Sequence, residues 1–358
     1  MFFPAAGVFA ALAIPLWFVA YSGADLGQPT DPYLWHRHEM IFGYLPAALA
    51  GFLLTAIPNW TGRKPITGLK LLVLFILWLA ARIVIVFDFD SGAAVSTEFL
   101  LVLAAIALHE VFRGGNRRNL PICLIVILFA LANGMVWQGE VSLGHRFALG
   151  LALMMMALIG GRVTPAFTRN WLKAQGITDA PAEFDGIDRA ALALTLFAAL
   201  SWIIAPDHTI SAVFALLAAC ALLVRMLRWK GTATRHEPLL LALHLAYLWL
   251  PLSLMAMAMT GLSDQSASLP IHAIGAGAIG SMTLVVMIRA ILGHSGRQIT
   301  GNYVDWLLIG CVHIGALMRV AVAMGWDAGL HLAGTLWPLG FLIFVVKYTP
   351  IAFAPRQD

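Results

Sequence analysis

A succession of apolar runs limits this chain more than any other feature. Each run is about 17 to 25 residues long, the length a helix needs to cross a bilayer, and each is bounded by Gly, Pro or charged clusters. Twelve can be read, near 2–22, 37–58, 66–87, 94–112, 119–137, 144–164, 188–205, 209–229, 238–261, 269–292, 303–324 and 330–350. Charged residues make up only 11% of the 358, and the mean hydropathy is +0.86. A soluble domain carries about 25% charged residues. The expected fold class is therefore an all-α integral membrane protein with twelve transmembrane helices, forming a single polytopic domain over 1–358. The polar stretch 170–188, containing Pro181 and Gly186, reads as a cytoplasmic linker between helices six and seven. No charged n-region or A-x-A-like cleavage site precedes MFFPAAGVFAALAIPLWFVA, so that segment reads as a retained first span.

Lys and Arg sort by alternate connections. Eighteen of the 22 lie at the ends that follow even-numbered helices or at the C-terminus, and only Arg37, Arg82, Arg146 and Arg319 fall toward the other side. By the positive-inside rule both termini and the Arg-rich connections face the cytoplasm. The net charge of +4 gives no support to nucleic-acid binding once it is distributed this way. Membrane lipid is the expected surrounding partner. Cys123, Cys220 and Cys311 stand alone in apolar segments and read as packing residues.

Eleven histidines remain to be placed. His36, His38, His145, His208, His272 and His331 fall at outer helix ends, whereas His244 lies in the cytoplasmic half of helix nine. Three of the outer ones open a repeat. HEMIFGYLPAALAGFLLTAIPNWTGR starts at His38, HRFALGLALMMMALIGGRVTPAFTR at His145 and HAIGAGAIGSMTLVVMIRAILGHSGR at His272. Each has Gly five positions on, at Gly43, Gly150 and Gly277, and ends at Arg63, Arg169 or Arg297. One reading is chance, since small residues and boundary charges are common in membrane helices. The other is three four-helix arcs with pseudo-threefold symmetry. That arrangement resembles the large subunit of haem-copper oxidases, whose metal-binding histidines lie on helices two, six and ten.

The stretch Trp35-His36-Arg37-His38-Glu39-Met40 sits at the start of helix two. On a regular helix His36 shares a face with Glu39 and Met40 while His38 points elsewhere; in an extended lead-in the two imidazoles point the same way. Neutral imidazole suits haem iron and copper, and Met is a soft ligand for reduced copper. An interfacial polar cluster facing water is the plainer reading. GGRVTPAFTRN closes helix six, because Pro165 cannot continue the backbone bonding, and Arg162 there either anchors the helix or clamps a carboxylate such as a haem propionate. His244 and His272 lie at opposite depths, so two straight helices cannot bring them to one ion. His244 either serves a second site or bonds to a carbonyl.

With WHRHEMIFGY, AGFLLTAIPNWTGR, ALIGGRVTPAFTRN, LHLAYLWLPL and the helix-ten segment in one chain and in this order, the sequence resembles the NnrS family from Phe2 to about Pro350. The resemblance implies a bacterial inner-membrane protein that contains haem and copper and protects against nitrosative stress, with nitric oxide as the small-molecule partner. The family's polar positions fall on His36, His38, Glu39, Arg162, His244, His272, His294 and Arg297. From the resemblance and the repeat together, His38 and His272 are expected to ligate haem, with Arg162 near it. Copper is expected near His36, with Met40 one turn away and His244 at this or a separate site. An electron donor would complete a catalytic reading. Two function classes stay open: a haem and copper protein that binds, senses or turns over nitric oxide, and a transporter for a metal, haem or small anion.

Overall fold

A computed structural model describes residues 1–24 and 31–357. Among them there is no strand, and twelve helices are long and apolar enough to cross a membrane. These are α1 (Phe2–Tyr21), α2 (Pro32–Thr61), α3 (Leu69–Phe87), α4 (Phe89–Arg113), α5 (Arg117–Trp137) and α6 (Val141–Ala174), followed by α7 (Gly186–Ile204), α8 (Thr209–Leu227), α9 (Pro238–Leu262), α10 (Ser268–His294), α11 (Tyr303–Ala323) and α12 (Gly329–Phe353). The chain is a multi-pass membrane protein.

The helix ends follow local chemistry. α2 begins five residues ahead of the apolar run, because the Asp31 carboxylate caps Leu34 N–H at 3.0 Å and Pro32 supplies a helix-compatible first residue. Trp35 to Met40 therefore lie inside the helix, not in an extended lead-in. α3 and α4 are parted by one extended residue, Asp88, and Gly92 lets the first turn of α4 lie directly on the Ile85 backbone. Capping boxes start α7 (Asp185 with Asp188) and α11 (Asn302 with Asp305).

Two departures from the expected pattern bear on the site. First, α6 does not stop at GGRVTPAFTRN but continues through Pro165 to Ala174, which shortens the linker. Proline at this position leaves the Gly161 carbonyl without its helical donor, and Arg225 Nη2 takes the donor's place at 3.2 Å. Second, α2 and α10 each contain a π-helical stretch, at Glu39–Tyr44 and Ala273–Ile279. Each stretch starts on the residue after the histidine that opens the sequence repeat. α6, the third helix of that repeat, is α-helical from end to end.

The chain divides into two compact units. The first comprises Met1–Leu151, Ala290–Gly296 and Phe344–Asp358; the second comprises Ala152–Arg289 and Arg297–Ile343. Four helices are mostly enclosed: α2, α9, α10 and α6 have 78%, 72%, 67% and 61% of their apolar windows buried, against at most 50% for any other. The three histidine-opened helices are thus among the four best shielded from lipid, which is where ionisable groups in a membrane protein are tolerated.

Candidate functional site

In the first unit, the WHRHEM segment is the centre of a polar network within apolar helices. His38 and Glu39 are fully buried. His38 Nδ1 bonds Glu39 Oε1 at 2.9 Å, and the other Glu39 oxygen is ion-paired with Arg82 Nε of α3 at 2.8 Å. Arg82 Nη1 donates to the Phe42 carbonyl at 3.0 Å and Nη2 to Ser96 Oγ of α4 at 2.5 Å. The indole of Trp78 donates to the Gly43 carbonyl at 2.9 Å, so two carbonyls of the π-helical stretch accept side chains from α3. At Gly43 a side chain would come within 2.9 Å of both Arg82 Nη1 and Glu39 Oε2, which explains the need for glycine there.

On its other side His38 Nε2 meets Asn133 Oδ1 of α5 at 2.8 Å. The amide cannot turn around, because Asn133 Nδ2 donates to the Ala93 carbonyl at 3.0 Å and to Thr97 Oγ1 at 3.1 Å. Both ring nitrogens of His38 therefore face oxygen acceptors, and both bonds are complete only when both nitrogens carry a proton. To ligate a metal, this imidazole must first release Glu39 or Asn133.

His145, near the start of α6, is the opposite case. It is 2% exposed and packs on the Phe42 ring with centroids 5.9 Å apart. Neither ring nitrogen makes a well-formed hydrogen bond among the described residues, and the one backbone group near enough to act on the ring is that of Val141, one turn back. Arg37 and His38 are the ionisable side chains near it. The His36 ring lies against Trp17 of α1 at 4.5 Å between centroids, so this imidazole seats helix two on helix one. Met40 is half-buried one turn on.

In the second unit, His244 Nε2 bonds Thr168 Oγ1 of α6 at 2.9 Å. The threonine hydroxyl already donates to the Thr164 carbonyl, so it accepts from His244, and the imidazole lone pair falls on Nδ1. That nitrogen faces Gly231, where a Cβ would come within 2.8 Å of it. His272 Nδ1 lies 2.8 Å from the Ser268 carbonyl, which takes its proton and puts the lone pair on Nε2. A carbonyl acceptor on Nδ1 is the usual way a metal-ligating histidine is oriented. Six residues into α9 and four into α10, His244 and His272 stand at opposite ends of neighbouring antiparallel helices. Ala256 of α9 packs against Leu269 and Ala273 of α10, which puts His272 about eleven residues along α9 from His244; at 1.5 Å per residue they are roughly 17 Å apart along the axis, so they belong to separate places.

Arg162 is exposed on α6, and Arg297 is half-buried just beyond α10. The stronger arginine of this unit is Arg225, which the charge pattern marks only as a boundary residue. It is fully buried, with Nε on Asp188 at 2.6 Å and Nη1 on the Ala157 carbonyl at 2.9 Å and on Tyr247 Oη at 2.8 Å. Outside the spans, the hydrogen bonds from Arg228 hold the Asp185 carboxyl down at about 2. A Trp249 indole also donates to His313 Nδ1 at 3.0 Å, pairing α9 with α11. His294 is exposed at the end of α10, in the first unit.

The structure thus brings His38, Glu39, Arg82 and Asn133 together, places His145 beside them, and keeps His244 and His272 apart. No group of three or more His, Cys, Asp or Glu gathers as a metal cage among the described residues. Arg82, Asn133, Thr168 and Arg225 did not stand out in the sequence; the signal they carry there is a polar or ionisable residue alone in an apolar run. A family model with the description NnrS protein matches residues 1–356. No curated protein matches the chain.

Proposed function

The chain belongs to the NnrS family, membrane proteins related to the nitric oxide response, and from that premise we propose that it holds haem and copper in the bacterial inner membrane and protects against nitrosative stress by binding nitric oxide. The observation that carries this reading is His145. A buried imidazole whose nitrogens lack well-formed hydrogen bonds costs about 1–3 kcal/mol, and an occupant bonded to one nitrogen offsets part of that cost. The donor chemistry fits: His145 offers an imidazole nitrogen suited to haem iron or copper, and His272 is oriented through Nδ1 by the Ser268 carbonyl, as a ligating histidine is.

When bound, reduced haem iron supplies an open coordination position that takes nitric oxide. The chain's own residues do the rest. The bonds from Glu39 and Asn133 hold the His38 ring in place, and the Arg82 guanidinium pairs with the other oxygen of Glu39 within an apolar wall. Apolar residues such as Phe42 exclude water beside His145, while an uncharged gas that partitions into lipid needs no aqueous path. The His36 and Met40 pair, one turn apart on α2, remains the proposed copper ligand set, with Arg162 the proposed carboxylate clamp. His244 is proposed for a separate centre.

Purified protein should contain haem and copper by pigment and metal analysis, and its reduced absorption spectrum should shift when nitric oxide is added. His145→Ala should lower haem content or change the spectrum while the protein stays membrane-inserted. Wild-type protein without haem would sink the reading. Haem without any response to nitric oxide would leave transport as the better account.

A further inference from the structure

A half-open cleft of about 320 Å³ lies in the first unit, at the N-terminus of α1, the last turns of α2, the turn into α3 and the end of α10. Because these are helix ends, the cleft sits where hydrocarbon gives way to headgroups. Its walls are apolar and partly flat, formed by Phe2, Phe3, Leu54, Pro58, Pro65 and Leu71. Gly51 makes one wall possible: a Cβ there would overlap the Phe3 ring at 2.5 Å, so the glycine lets that ring lie on the α2 backbone.

The polar side chains on the lining are few and none is a carboxylate, ammonium or guanidinium: Asn59, Thr55, Thr67 and the imidazole of His294. No Lys, Arg, Asp or Glu side chain lines the cleft among the described residues. The Thr55 hydroxyl is spent on the Gly51 and Phe52 carbonyls, at 2.9 and 3.0 Å. The Asn59 amide makes one long bond to the Thr55 carbonyl at 3.4 Å, and the His294 ring makes no hydrogen bond among the described residues. The Asn59 amide, the His294 imidazole and the Thr67 hydroxyl are therefore open to a ligand.

These features select an occupant. A phosphate headgroup would meet no basic side chain and a metal ion no carboxylate. The volume suits a single ring, at the lower end of the roughly 300–1,000 Å³ of small-molecule sites. A flat, uncharged ring with polar oxygens and a hydrocarbon tail leaving through the open side matches walls, rim and depth together. We propose that this cleft binds the headgroup of a membrane quinone, with His294 and Asn59 on its oxygens. The proposal rests on the functional reading in one respect: the centre proposed above needs a reductant, and a quinol is the class of donor dissolved in the same membrane.

The test is a titration of the purified, cofactor-loaded protein in detergent with decylubiquinone, followed by quenching of tryptophan fluorescence. Wild type should show saturable binding. His294→Leu, which removes one hydrogen bond, should weaken it about tenfold. Leu71→Trp, which fills the cleft from a half-buried position, should abolish it. Size-exclusion profiles and haem content should be unchanged in both variants. Non-saturable quenching, equal binding in both folded variants, or full displacement by a saturated alcohol of the same tail length would overturn the proposal, the last because only hydrocarbon would then be recognised. Haem and copper content measured on the same preparation separates the two ideas. Absent haem sinks the functional reading, whereas haem-loaded protein with no quinone binding sinks this one alone.

Discussion

Arg225 shows how a charge is held within these helices. A guanidinium carries five donors, and four hydrogen bonds are satisfied by Asp188, the Ala157 carbonyl, Tyr247 and the Gly161 carbonyl that Pro165 sets free, with the Trp229 ring 5.3 Å away. Removing one partner of a buried pair costs about 3–5 kcal/mol, because the other charge is left uncompensated. Arg225→Met should fall at the lower end of that range, since Arg228 still reaches Asp188 at 3.3 Å. Pro165 supplies a sharper test. Pro165→Ala restores the helical N–H to the Gly161 carbonyl, so it should recover about 1 kcal/mol in the Arg225→Met background and give little in wild type, where the carbonyl is already bonded. Thermal unfolding in detergent of the four proteins measures the coupling. Strictly additive effects would mean that Arg225 does not serve as the proline's surrogate donor.

At the scale of the element, the π-helical stretches of α2 and α10 are the parallel feature of the two units. Each follows a histidine and each accepts an indole N–H, from Trp78 onto the Gly43 carbonyl at 2.9 Å and from Trp337 onto the Ala276 carbonyl at 3.1 Å. Their glycines differ. A Cβ added at Gly275 would meet nothing within 4 Å, whereas one at Gly43 would meet Arg82 and Glu39 at 2.9 Å. Alanine in place of glycine gains about 0.5–1 kcal/mol in an ordinary helix. Gly275→Ala should therefore be neutral or slightly stabilising. Gly43→Ala should destabilise by about 1–3 kcal/mol by displacing a buried ion pair from its bonds. Equal unfolding midpoints for the two variants would refute the network's role. Twelve spans were legible in the sequence because bilayer thickness fixes their length and the basic residues mark alternate ends. The π-helical stretches were not, since one extra residue in a turn leaves no trace in an apolar run. His38 and His244 were legible as candidates, but their partners Asn133 and Thr168 come from other helices, 95 and 76 residues away, and no spacing rule connects them. The extension of α6 was missed because the missing proline bond is made good by a side chain from α8.

For the whole molecule, the distribution of charge sets orientation. Of the four basic residues that break the alternation, Arg82 is buried on Glu39 and Ser96, and Arg319 reaches Ser268 at 3.3 Å, so these two are held by helix-to-helix bonds and carry no topological signal. Discounting them leaves eighteen basic residues on one side against Arg37 and Arg146 on the other. An even number of spans then places both termini on the same face, and the positive-inside rule predicts that this face is the cytoplasmic one. Reporter fusions test this directly. A fluorescent protein that matures only in the cytoplasm should light up when joined after Gly176, Gly231 or Gln357. Alkaline phosphatase, active only outside, should work when joined after Asp207 or Ser263. Adding or losing one span within the chain would exchange the two reporters for every fusion beyond that point, so a single inversion along the series would locate a miscounted helix. Uniform inversion at all five sites would preserve the twelve spans and reverse the orientation. In that case His145 and the WHRHEM network would lie toward the cytoplasm and the proposed quinone cleft at the outer face.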